Sequence, residues 1–160
     1  MATWTELEAA APELARPARL RFTEARVALL GSIRADGAPR ISPVEPYFFG
    51  GHLIFGSMGW SGKTRDLLRD SRCVLHSPVS SPDGREIEVK IHGDVSECDD
   101  RVREECREGW WIKLPPSSAR IFTLDIREAV LVGWDPEGGR MEVKSWTPRT
   151  GYRMTSRAYP

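Results

Sequence analysis

Apolar positions recur with two different periods along the chain, and the change falls just after Phe22. Before it, Trp4, Leu7, Ala11 and Leu14 return at the spacing of one helix face. Thr3-Trp4-Thr5-Glu6 puts a hydroxyl at the N-cap and a carboxylate at the far end of a capping box, and Pro17 is expected to close this helix. After Phe22 the chain turns β-rich. "RVALLGSIR" (26–34) leads through "ADG", a hairpin signal, into "APRISPVEPYFF", then through Gly50-Gly51 into "HLIFGS". Three strands joined by tight turns are expected to be antiparallel neighbours. "KTRDLLRD" reads as a short helix with Leu67 and Leu68 inward, and "RCVLHSPV" as a strand. "REIEVKIHGDVSE" alternates Ile87, Val89 and Ile91 with Glu88, Lys90 and His92, the pattern of a strand with one buried face. "CDDRVREECREGWW" predicts a second helix with Val102, Cys106 and Trp110 on one stripe. "ARIFTLDIREAVLVGW" supplies one or two further strands and "GGRMEVKSW" a last one. Six or seven antiparallel strands with short helices predict a mainly β, closed or nearly closed barrel.

Composition narrows the function classes. At 160 residues the chain is one domain by length, with a formal net charge of zero and basic residues spread rather than clustered. That leaves no bulk electrostatic reason to bind nucleic acid or an anionic membrane, and near-zero charge favours a partner subunit. No apolar run is long enough to span a bilayer and no charged start precedes one, so a cytoplasmic protein is expected. Cys73, Cys98 and Cys106 lack C-x-x-C spacing, and His52, His76 and His92 are scattered, so neither a disulfide framework nor a metal site is indicated. The division expected is a helical segment over 1–22, a barrel over 23–146 and a polar tail over 147–160, disordered or lying across a partner.

The one stretch suggesting a ligand is "GSMGWSGKTRDLLRD" (56–70). It misses the P-loop pattern G-x-x-x-x-G-K-[ST], because Ser57 stands where the first glycine belongs and Gly56 is one residue early. A strand ending in a Ser/Gly/Lys turn before a helix still offers what a phosphate monoester needs. The helix start supplies free N–H groups, Lys63 a full charge, Ser57 and Ser61 hydroxyls, and Gly59 and Gly62 close backbone approach. Trp60, in the same loop, is exposed unless a ligand or subunit covers it.

The ordered set resembles the core of the pyridoxamine 5′-phosphate oxidase-like superfamily. It comprises the strand, D-G turn, "PRISPV", G-G turn, third strand, Ser/Gly/Lys loop, and "R-D-L-x-R-D" helix, and covers about Val27 to Val95. The resemblance implies an antiparallel split barrel that dimerises and holds flavin mononucleotide (FMN), or in some branches a deazaflavin, in the groove between subunits. It implies that Lys63 contacts the flavin phosphate, with Gly56, Ser57, Ser61 and Gly62 in the same wall, and that Gly62 stands where a second Arg or Lys is common. Arg40, Ile41, Ser42, Pro43 and Val44 match the strand whose backbone runs along the ring. Trp146 and Arg149 resemble C-terminal pieces that reach the partner's flavin, while Trp146 reads equally well as core. Two positions depart from the pattern: Glu45 stands where a lysine is common and Glu88 near a common glutamine. The function implied is a flavin-dependent oxidoreductase acting on a small molecule, with the cofactor carrying the chemistry and no catalytic residue to name. The alternative is a non-enzymatic module holding flavin or haem on the same barrel.

Overall fold

The structure is a computed structural model and describes residues 2–83 and 85–158. Two helices open it, α1 (Trp4–Ala10) and α2 (Pro12–Ala25). The capping box forms: the Thr3 hydroxyl accepts from the Glu6 amide and the Glu6 carboxylate accepts from the Thr3 amide. Pro17, however, does not end a helix. The break falls at Ala11, where φ is −144°, and Pro12 starts α2 at a position whose N–H would be unpaired anyway. Pro17 sits inside α2 and forfeits one backbone hydrogen bond, offset by the buried face of Leu14, Ala15, Ala18 and Phe22.

The strands are β1 (Ala28–Ile33), β2 (Pro39–Val44), β3 (Pro46–Phe49), β4 (His52–Met58), β5 (Arg72–His76), β6 (Glu88–Glu97), β7 (Ala119–Asp135), β8 (Arg140–Thr147) and β9 (Gly151–Ala158). Helix α3 (Gly62–Arg69) follows β4, and α4 (Asp100–Glu105) and a 3₁₀ turn (Trp110–Lys113) follow β6. Neighbours run β2-β1-β5-β6-β7-β4-β3, with β8 on β7 and β9 on β8, and every pairing is antiparallel. The mainly β split barrel expected from the pattern is thus present.

Its meander is not the simple one the turns suggest. The second apolar segment divides at Glu45: β2 pairs with β1, whereas β3 pairs with β4, at the opposite edge of the sheet. Pro43 and Pro46 flank the break and lack the N–H groups a continuous ladder requires. Because one residue joins the two sheet edges, they meet at Glu45, and this seam is the split of the barrel.

The main core lies between the inner sheet face and α1–α2, with Trp4, Leu7, Phe22, Leu30, Phe55, Leu75 and Ile91 buried. A second core on the outer side of β4 and β7 is closed by α4 and the 3₁₀ turn around Ile54, Trp111 and Ile121. Here the structure corrects the expected long helix. α4 ends at Glu105, with Cys106 as its C-cap, and Trp111, not Trp110, is the fully buried indole of this segment. Of the two α3 leucines only Leu67 is buried, and Leu68 faces out. The C-terminal tail is neither irregular nor detached, since β9 forms a hairpin with β8. Among the described residues no helix is long and apolar enough to cross a membrane, no group of side chains could hold a metal ion, and the three cysteines are free.

Candidate functional site

The loop after β4 is fixed from three sides. The Gly59 amide donates to the Ser118 carbonyl (2.9 Å) and the Ser61 amide to the Met58 carbonyl (3.0 Å). Ser61 caps α3 by accepting from the Thr64 amide at 3.4 Å. Ser57, Ser61 and Thr64 form a hydroxyl cluster beneath it: Thr64 Oγ1 donates to the Met58 carbonyl (2.8 Å) and lies 2.7 Å from Ser57 Oγ, itself 3.1 Å from Ser61 Oγ. Ser57 is buried, so its hydroxyl fixes the loop to the helix. The amides of Gly62 and Lys63 have no backbone partner among the described residues, as expected at the first turn of a helix.

At the mouth of this turn lies a cleft of about 210 Å³, lined by Val27, Pro43, Val44, Glu45, Gly56, Ser57, Met58, Lys63 and Trp110. The seam between β2 and β4 therefore brings together five residues singled out from the sequence: Pro43, Val44, Gly56, Ser57 and Lys63. No carboxylate lies within ion-pair distance of Lys63 among the described residues. An unpaired ammonium beside free helix amides, with hydroxyls behind it, has the chemistry of an anion site. The cleft is smaller than the ~300 Å³ at which pockets for drug-sized ligands begin.

No family model matches the chain, and no curated protein matches it in sequence. Solved structures do match. PhzG from Burkholderia lata 383, in complex with tetrahydrophenazine-1-carboxylic acid, superposes with a TM-score of 0.67 at 12% identity over 92% of this chain and 89% of that one. A pyridoxamine 5′-phosphate oxidase-related, FMN binding protein from Nostoc punctiforme PCC 73102 gives 0.62 at 12% identity over 100% and 98%. A heme binding protein from Mycobacterium smegmatis gives 0.63 at 13% identity over 89% and 87%. The fold is the pyridoxamine 5′-phosphate oxidase-like split barrel.

Within this split barrel the other expected residues take different places. Ile41 and Pro43 face outward on β2, opposite Gly31 and Leu29 of β1, and Ile41 is 67% exposed. Ser42 lies on the inward side, opposite Leu30. Trp146 is only 5% exposed, packed in the main core and absent from the cleft. Glu88 is also away from the cleft: its carboxylate is held by His76 Nε2 at 3.1 Å and by Lys90 on the outer sheet face. Burial opposes its ionisation, but these contacts win and hold its pKa below the ordinary value. Glu45 lies at the seam, between the 210 Å³ cleft and a larger one of about 800 Å³ that shares Val27 and Glu45 as walls. The Tyr47 hydroxyl donates to Glu45 at 2.7 Å, and burial, then that hydrogen bond, raises the phenol pKa, so the hydroxyl stays a donor.

Arg40 points inward from β2 to α3, where its Nε donates to Asp66 Oδ2 at 2.6 Å. Ser32 Oγ donates to the same oxygen at 3.1 Å, and Arg69 Nη1 stands 3.6 Å from the other. Asp66, buried to 4% exposure, was not distinguishable from a solvated helix carboxylate in the sequence. Ser32 and Arg40 lie 34 and 26 residues away from it, and no local pattern joins them. Burial resists its ionisation, but the bonds from Arg40 and Ser32 and the two guanidinium charges outweigh that and lower its pKa. A carboxyl depressed in the folded state contributes stability above its unfolded pKa and loses it as pH falls through the depressed value. Asp66→Asn is therefore expected to be less stable than the wild type at neutral pH, with the gap closing on acidification. Urea unfolding between about pH 7 and pH 3 checks this, spanning the ordinary Asp value of about 3.9.

Proposed function

We propose that the chain binds FMN or a deazaflavin with its phosphate at the start of α3, in a groove completed by a second copy, and acts as a flavin-dependent oxidoreductase on a small molecule. The unpaired Lys63 ammonium in the seam cleft, flanked by the Gly62 and Lys63 amides, carries this reading. The size of the cleft supports a second copy as its missing wall. So does an apolar outer surface beside it, where Leu29 and Met58 are partly exposed, Ile41 more so, and Trp60 is 77% exposed. The bound flavin would supply the electron chemistry; the chain's residues grip the phosphate, line the ring with the Pro43–Val44 backbone, and exclude water with Trp110. The larger cleft beyond Glu45 is the side from which substrate would approach.

The likeness to a heme binding protein supports a second reading, a haem module on the same barrel. It is the weaker one, because neither histidine nor cysteine lines the seam cleft. Absorbance titrations with FMN, a deazaflavin and haemin, with mass measured by light scattering, separate the readings. Flavin saturating at one per chain in a dimer is the expected result. A monomer that binds no flavin would refute the proposal, and a Soret band with haemin alone would move the assignment to haem.

A further inference from the structure

The cleft of about 800 Å³ beyond the seam is built from one helix face and one edge strand. Arg19, Phe22, Thr23 and the C-cap residue Arg26 line it at i, i+3, i+4 and i+7, a single face of α2. Glu45 and the first three residues of β3, Pro46, Tyr47 and Phe48, line it from the sheet. Half-exposed aromatic rings at 47 and 48 thus lie between charges of both signs. Glu108 adds a second carboxylate, so the cleft is neither a plain anion site nor a plain cation site.

These charges differ in how far they are already used. Arg19 is committed, its Cζ 4.9 Å from the centre of the Phe48 ring and its Nη1 3.6 Å from Glu8. Arg26 has no ion-pair partner among the described residues. It also holds φ at 59°, and no other non-glycine residue among those described has a positive φ. Glycine or asparagine is the ordinary choice at a left-handed helix end, so this arginine is kept at a backbone cost. Glu45 meets no cation either. The Tyr47 hydroxyl donates to its Oε2 at 2.7 Å, which fixes the carboxylate and leaves Oε1 able to accept. Arg26 and Glu45 therefore share one cleft without pairing with each other.

We infer that this cleft takes as substrate a small flat ring with an anionic group at one end and an N–H donor at the other, the anion held by Arg26 and the donor by the Glu45 carboxylate that Tyr47 aligns. The inference rests on the cofactor reading above. Glu45 lines both clefts, so the donor end of the ring is the end set beside the cofactor. Arg26 precedes Val27, the other wall residue common to both, so the two recognising groups stand at the seam rather than at the far rim. Glu45 is then the specificity-determining residue. A lysine there would accept a second anion and turn the N–H donor away.

Three one-ring probes separate the two ends: 4-aminobenzoate carries both groups, benzoate the anion alone, and terephthalate an anion at each end. Their dissociation constants are to be measured by calorimetry on the cofactor-loaded wild type, Arg26→Ala and Glu45→Lys, with circular dichroism and a flavin titration on each protein. Both substituted side chains are exposed, so the fold is expected to survive. The wild type should bind 4-aminobenzoate about tenfold tighter than benzoate, and terephthalate more weakly still, as for one charge-assisted hydrogen bond gained or reversed. Arg26→Ala should weaken 4-aminobenzoate and benzoate alike, by about tenfold. Glu45→Lys should reverse the order and make terephthalate the tightest of the three, a reversal that a merely structural role could not produce. Equal wild-type affinity for 4-aminobenzoate and benzoate, an unchanged order in Glu45→Lys, or no effect of Arg26→Ala would overturn the inference. So would a wild type that binds flavin and none of the probes. All four results leave the cofactor reading standing. A wild type that binds neither FMN nor a deazaflavin would instead remove that reading, and the assignment of this cleft to a substrate with it.

Discussion

Lys63→Glu is expected to lower FMN affinity by about two to three orders of magnitude while leaving riboflavin affinity within a few-fold. A charge-assisted contact contributes ~1.5–3 kcal/mol, the reversed charge adds repulsion, and each ~1.4 kcal/mol is a factor of ten. The substitution is not expected to disturb the fold. Lys63 is in the first turn of α3, where a carboxylate is favoured by the helix dipole, so thermal stability should hold or rise slightly. Loss of FMN binding in a protein that melts as the wild type does places the phosphate at this turn. Unchanged FMN affinity would mean the anion site lies elsewhere. Salt gives an independent check, because the wild-type affinity for FMN should weaken as ionic strength rises and the variant's should not.

The parts of this molecule that were legible in the sequence are those specified locally. The Thr3–Glu6 capping box, the Asp36-Gly37 and Gly50-Gly51 turns, and the alternation along β6 each depend on residues within a few positions of one another. Where the structure departs from the sequence reading, a distant contact decides. The apolar run from Pro39 to Phe49 looks like one strand, yet its halves belong to opposite sheet edges because Pro43 and Pro46 cannot both sit in a continuous ladder. Pro17 is a helix breaker by local rules, but the buried face of α2 carries the helix past it. Arginines and polar residues made the last segment look like a tail. Pairing with β8 turns it into β9.

The site divides in the same way. Ser57, Ser61 and Lys63 were visible because a strand, a loop and a helix N-terminus follow one another in sequence; Pro43 and Val44 were named only through the family resemblance, and the fold brings them to the loop by closing the seam. Val27, Met58 and Trp110 line the same cleft but read as ordinary strand or helix positions, since nothing local marks an apolar wall of a ligand site. Gly56 shows how a site position can have another duty. A methyl group there would lie 2.4 Å from Trp111 Cε3, so the glycine is needed for the indole to dock on β4, whatever the cleft holds.

Trp111→Ala is accordingly the substitution expected to cost the fold most. The indole is fully buried between Gly56 and Gly109, with Tyr47 edge-on at 4.8 Å and Trp110 at 6.2 Å between ring centroids. Truncating a buried tryptophan to alanine costs ~3–5 kcal/mol, because the surroundings collapse only partly into the cavity. At ~2–4 °C per kcal/mol for a chain of this size, the melting temperature should fall by roughly 10 °C. Its Nε1 has no hydrogen-bond partner among the described residues, so the loss is one of packing, and Trp111→Phe should be much milder. The consequence extends to the cleft. Trp110 lines it from the same 3₁₀ turn that Trp111 anchors, and Arg103 ties that turn to α4 through the Trp111 carbonyl at 3.1 Å. With the anchor removed, flavin affinity should fall as well, for FMN and riboflavin alike, the opposite signature from Lys63→Glu. A Trp111→Ala protein that melts within a degree or two of the wild type would show that α4 and the 3₁₀ turn do not close the outer face of β4 and β7, and the wall assigned to Trp110 would be lost with them.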